Sequence, residues 1–165
     1  MLETERLRLR KFVVDDAGFI VELVNSPGWL KYIGDRNIKT DTQAIAYLEN
    51  GPLKSYKGNG FGLSMVETIE GRIKVGMCGI IRRDNLEYPD IGFAFLPEYT
   101  GMGYAFEIVK ATLAYAQNQL KLEQISAITI AENTKSIRLL EKMGMKYVKH
   151  FSFPNGKEEL LLYSI

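Results

Sequence analysis

Gly101 and Gly103 stand between an apolar run, Phe93-Ala94-Phe95-Leu96-Pro97, and a stretch from Tyr104 to Leu120 with helical apolar spacing. Two glycines one residue apart let the backbone turn tightly and let a ligand reach the N–H groups with no Cβ in the way. A helix beginning at Tyr104 leaves its first N–H groups unpaired and carries a partial positive charge at that end. Strand, glycine turn and helix in this order make a phosphate cradle. Taken alone, the same Gly-x-Gly pair also serves as a plain tight connection. Trp29, the sole tryptophan, and Tyr32 lie in a predicted loop, where they either plug the core or line a substrate groove. Cys78 sits inside the apolar run Val75 to Ile81 and reads as a buried, inert thiol.

The elements that must hold these residues follow from patterning. Leu7 and Leu9 alternate with Arg6, Arg8 and Arg10, so Leu2 to Val14 reads as one strand with a wet face. Asp15-Asp16 precedes Ala17, Phe19, Ile20, Leu23 and Val24, a capped helix that Asn25-Ser26-Pro27-Gly28 ends. Thr40 with Gln43 has capping-box spacing before a second helix, which Gly51-Pro52 ends or kinks. Phe61 to Glu67, Ile73 to Arg82 and Tyr88 to Leu96 are successive strands joined by turns, hence antiparallel. After the glycine turn come a helix from Tyr104 to Leu120, a strand Ile125 to Ile130 and a helix capped by Asn133-Thr134 and closed by Gly144. Two final strands, Tyr147 to Phe153 and Glu158 to Ser164, turn at Pro154-Asn155-Gly156. The pattern is α/β (α+β): a mixed, mostly antiparallel sheet flanked by helices, in one domain spanning residues 1–165.

Composition narrows the classes. A chain of 165 residues that is 46% hydrophobic and 25% charged suits a single globular core. Its 21 basic and 20 acidic residues leave a net charge of +1, which argues against nucleic-acid or membrane-surface partners. A single cysteine excludes an internal disulfide and a cysteine-rich metal site, and no metal is expected. With no long apolar run and no signal-peptide core, a cytoplasmic location is expected.

Taken together, order and motifs resemble the GNAT superfamily of acyl-CoA-dependent N-acyltransferases, and within it the branch of ribosomal-protein N-terminal alanine acetyltransferases. The likeness rests on Leu2-Glu3-Thr4-Glu5-Arg6-Leu7-Arg8-Leu9-Arg10 with Asp15-Asp16; on Ile91-Gly92-Phe93 leading to Leu96-Pro97-Glu98-Tyr99; on Gly101 to Glu107; and on the run from Asn133 through Ser136 and Glu141-Lys142 to Gly144-Met145. It implies acetyl-CoA as co-substrate and a primary amine, on a peptide or a small molecule, as acceptor. It implies that the exposed backbone of Phe93, Ala94 and Phe95 pairs with pantetheine amides like an added strand. Backbone N–H groups of Gly101, Met102, Gly103, Tyr104, Ala105 and Phe106 would take the pyrophosphate, and Asn133 the pantetheine. Thr100 stands where many relatives carry Gln or Arg, and Leu140 where many carry a tyrosine acid; Ser136 is the substitute acid. A homodimer is compatible with the resemblance, and the oligomeric state stays open.

The implied reaction is attack of a neutral amine on a thioester. A thiol with pKa ~8.5 leaves readily, so proton help need be modest, while holding both reactants in line contributes ~7–11 kcal/mol. An α-amine (pKa ~7.7–8.0) is neutral at pH 7 roughly 250–500-fold more often than a lysine (~10.4). The strand before Asn133, Ile-Ser-Ala-Ile-Thr-Ile, carries no carboxylate. Asp90 is then the leading base candidate, with Glu87 and Glu98 as alternatives and His150 a remoter one. The absence of a strong base on that strand favours an α-amine. The competing reading is a non-catalytic acyl-CoA sensor or scaffold.

Overall fold

In a computed structural model, which describes residues 2–165, the chain forms one eight-stranded sheet in the order β1-β2-β3-β4-β5-β6-β8-β7. The strands are β1 (Leu2–Glu3), β2 (Leu7–Lys11), β3 (Leu63–Thr68), β4 (Lys74–Ile81), β5 (Asp90–Phe95), β6 (Ser126–Thr129), β7 (Lys146–Phe151) and β8 (Leu160–Ser164). Helices α1 (Ala17–Val24), α2 (Pro27–Tyr32), α3 (Asp41–Leu48) and α4 (Lys54–Asn59) precede β3; α5 (Tyr104–Asn118) joins β5 to β6; α6 (Thr134–Lys142) joins β6 to β7. The expected fold class holds, with every neighbour antiparallel except β5 and β6.

Alternation along the central strands splits the core in two. Val66 and Cys78 turn to one side, where α5 supplies Ile108, Val109 and Leu113 and α6 supplies Leu140. Their neighbours Met65 and Met77 turn to the other, against Phe19, Ile20 and Leu23 of α1, Trp29 of α2 and Leu48 of α3. This is the period-two geometry of a strand buried on both faces. Cys78, fully buried beside the Thr112 hydroxyl at 3.5 Å, has its thiol pushed up to about 12 by burial, as an inert core residue should.

Two expectations are corrected and one left open is decided. The opening strand is two strands folded on each other, because Thr4 turns the chain: its N–H donates to the Leu7 carbonyl at 2.9 Å and its hydroxyl accepts from the Leu7 N–H at 3.1 Å. Trp29 and Tyr32 lie on a helix, not a loop; Pro27 occupies the first helical position, where its fixed φ and missing N–H cost nothing. Pro52 kinks the helical path without ending it: a π-helical turn, Glu49–Leu53, absorbs the missing donor and α4 continues.

Candidate active site

The site is built where β5 and β6 meet and part. These parallel strands pair only at Asp90 and Ser126, and beyond that point nothing pairs Ile91–Phe95 to β6 among the described residues. On the other edge β5 is held by β4 along its whole length, from Ile81 opposite Asp90 to Gly76 opposite Phe95. The result is a wedge with its root at Asp90 and its mouth at the far end of both strands. One lip is the backbone of Phe93, Ala94 and Phe95. The other ends in Asn133 and Ser136 at the start of α6.

At the mouth, Pro97–Tyr99 makes a single 3-10 turn and the chain passes through Gly101 (φ +78°) and Gly103 (φ +81°), both left-handed, into α5. Other side chains rarely adopt this conformation, which is why glycine stands at both positions. Gly103 is the N-cap of α5 and its carbonyl accepts the first helical bond, from Glu107, at 3.0 Å. The N–H groups of Tyr104, Ala105 and Phe106 therefore have no helical acceptor. None of the N–H groups from Gly101 to Phe106 finds another acceptor among the described residues. A fifteen-residue helix aims its positive end here as well. These donors fit a diphosphate, and the unpaired β5 edge fits an amide-bearing chain lying in the wedge.

The remaining candidates are distributed along it. Asn133 caps α6 through its Oδ1, which accepts the Ser136 N–H at 3.3 Å, so its amide NH2 is the part left to reach a ligand. Ser136 is half-buried in the first turn of α6. Leu140, 2% exposed, is locked in the core with Ile108, Met145 and Tyr163. Asp90 is 1% exposed at the root, and Arg83 Nε donates to its Oδ1 at 2.8 Å. Burial raises its pKa, and the charge and hydrogen bond of Arg83 offset that only in part. Five residues of strand, about 17 Å, separate Asp90 from Phe95 at the mouth. His150 lies on the exposed edge strand β7, paired with Glu159, and Glu87 and Glu98 lie exposed in turns.

Trp29 takes the first of its two alternatives, the core plug. It is 6% exposed and packs with Met77 and Leu96, so the ring fills the core. Yet its Nε1–H is buried with no acceptor among the described residues, an uncommon state for an indole. Tyr32 is half-buried beneath Lys31, whose Nζ lies 5.0 Å from the ring centroid. Lys31 also borders a cavity of about 430 Å3 with Ile130, Glu132, Glu158 and Glu159, beyond the end of β6.

One feature of the glycine turn was not legible in sequence. Arg6, from the turn between β1 and β2, lies against it: Nη1 donates to the Met102 carbonyl at 3.0 Å, and the guanidinium lies 4.7 Å from the Tyr104 ring centroid. In the chain Arg6 alternates with leucines as Arg8 and Arg10 do, and nothing in that pattern sets it apart.

The wedge, the glycine turn and the asparagine-capped helix fit an acyl-CoA donor, and the chain belongs to the acetyltransferase (GNAT) domain family, whose model matches residues 6–146. It is similar to the uncharacterized N-acetyltransferase YoaA of Bacillus subtilis, 27% identical over 161 residues and covering 94% of this chain and 90% of that one. Among solved structures it resembles the ribosomal-protein-S5-alanine acetyltransferase of Vibrio fischeri (TM-score 0.82, 18% identity, 99% and 94% of the two chains). It also resembles the Vibrio cholerae spermidine N-acetyltransferase solved with CoA and spermine (TM-score 0.79, 22% identity, 98% and 96%). These two share the fold and differ in acceptor, so the fold alone does not select one. No group of three or more metal-ligating side chains occurs among the described residues, and none of their helices is long and apolar enough to cross a membrane.

Proposed function

We propose that the protein transfers the acetyl group of acetyl-CoA to a primary amine by direct attack, with donor and acceptor bound together. The observation that carries this reading is the wedge: β5 loses its neighbour just past Asp90, leaving a free strand edge that runs to a turn rich in unpaired N–H groups. The cofactor supplies an activated thioester. Gly101, Met102, Gly103, Tyr104, Ala105 and Phe106 hold its diphosphate by backbone N–H groups; Phe93, Ala94 and Phe95 orient the pantetheine from one lip and the Asn133 amide from the other. Fixing both reactants in line is the largest contribution, about 7–11 kcal/mol. A backbone N–H of the free edge, Phe95 by position, stabilises the developing oxyanion.

Proton transfers fall to Asp90 and Ser136. Asp90, ion-paired with Arg83 and made more basic by burial, takes the amine proton through a chain of waters that runs along the wedge from its mouth to its root. Ser136 donates toward the departing sulfur, which needs little help. Trp29 offers its unpartnered N–H and Tyr32 its ring on the acceptor side. Glu132, Glu158 and Glu159 around the cavity favour a cationic acceptor over an anionic one.

An acceptor screen with isotopically labelled acetyl-CoA, read by mass, tests this reading across ribosomal-protein N-terminal peptides, polyamines and aminoglycosides. Label transfer to an amine supports it. Tight cofactor binding with no transfer to any amine would instead favour a sensor, consistent with Leu140 sealed in the core.

A further inference from the structure

We infer that Arg6 is a positioning residue of the diphosphate loop, setting the direction of the Gly103 N–H from a strand turn that never touches the ligand. The inference rests on the cofactor reading above and adds to it a residue ninety-six positions away. The Arg6 side chain is half-exposed, yet it is held on several sides. Nε donates to Glu107 Oε2 at 2.7 Å, and the Arg6 backbone N–H donates to Glu107 Oε1 at 2.9 Å. The Thr4 hydroxyl donates to that same Oε1 at 2.6 Å, so Glu107 is fixed in turn. The Tyr104 ring covers one face of the guanidinium, and Nη2 lies 3.3 Å from where a Cβ on Gly103 would stand. With the plane so aimed, Nη1 grips the Met102 carbonyl.

The consequence follows from peptide geometry. The carbonyl of Met102 and the N–H of Gly103 belong to one planar trans unit and point in opposite directions. Holding the carbonyl toward Arg6 therefore turns the Gly103 N–H away from it, to the open side of the loop. A cation on the carbonyl also polarises that unit and makes its N–H a better donor to an anion. Glycine on one side of that unit, at Gly103, leaves it freer to flip, so an external grip has a real job. Arg6 also neutralises Glu107, a carboxylate in the first turn that would otherwise repel a phosphate group. Lysine cannot replace it, since an ammonium lacks the fork needed to span a carboxylate and a carbonyl together.

The test measures CoA affinity by calorimetry in the full chain, with turnover of S-acetylpantetheine, which lacks the diphosphate, as a second readout. Arg6→Ala and Arg6→Lys should each weaken CoA binding roughly fivefold or more, about the contribution of a hydrogen bond. Both should leave S-acetylpantetheine kcat/KM within about twofold, and Arg8→Ala, whose side chain pairs with Glu3, should leave CoA affinity unchanged. Arg6→Lys keeps charge and stem, so it carries the test where Arg6→Ala fails to fold. Unaltered CoA affinity in Arg6→Lys, or an equal loss with both donors, would overturn the inference. Wild-type protein that binds no CoA would remove the cofactor reading itself, an outcome distinct from a silent Arg6 variant.

Discussion

At the scale of single residues, the site depends on conformations and protonation states that only certain side chains allow. Gly103 at φ +81° has a backbone reason to be glycine, and the proposed diphosphate cradle adds a second. Gly103→Val is expected to weaken acetyl-CoA binding about tenfold or more, measured by calorimetry, because a branched side chain resists that φ and crowds the loop. Asp90→Asn should lower kcat roughly 100-fold and flatten the acid limb of the rate profile. The sign follows from burial: the folded carboxyl titrates above its ordinary value, so activity rises with pH through that raised value and the amide variant loses the rise. Ser136→Ala should lower kcat roughly tenfold with acetyl-CoA affinity retained, a small effect because a thiolate leaves well. A wild-type rate would make Ser136 only the recipient of the Asn133 cap.

At the scale of elements, charge ties the first strands to the helical face. Asp16, 1% exposed in the turn before α1, accepts from Arg10 Nη1 and Nη2 at 2.8 and 2.9 Å, and Lys74 of β4 lies 2.8 Å away. Arg10 also reaches Glu67 of β3 at 2.7 Å, so β2, β3, β4 and the start of α1 share one network. Burial alone would raise the Asp16 pKa, but hydrogen bonds from Arg10, Lys74 and the Val13 N–H outweigh it and bring it to about 2. A depressed folded value means the stabilisation is complete above about pH 4 and is lost as pH falls through about 2. Asp16→Asn should cost ~3 kcal/mol in denaturant unfolding at pH 7, and the deficit should shrink as both proteins approach pH 2. A deficit independent of pH would mean that packing, not charge, holds this corner.

At the scale of the whole molecule, what could be read in the chain was what is written locally. The turn-bounded apolar runs of β3 and β4, the glycine turn and the Asn133 cap are short-range patterns, and they placed the mixed sheet and its flanking helices. Pro27-Gly28 misled because the signal that stops one helix also starts the next when proline takes its first position. The parting of β5 and β6 exists only in the pairing between strands thirty-six residues apart, which no local pattern encodes. Arg6 stayed hidden for the same reason: its partner Glu107 comes 101 residues later, and in sequence it is one arginine among alternating others.

The central claim is that the wedge and its glycine turn hold acetyl-CoA. Titration calorimetry of acetyl-CoA into the wild-type chain tests it most directly, with Gly103→Val alongside. One site per chain with micromolar affinity, weakened by the valine, is the predicted result. No heat of binding, or an affinity the valine leaves untouched, would contradict the claim.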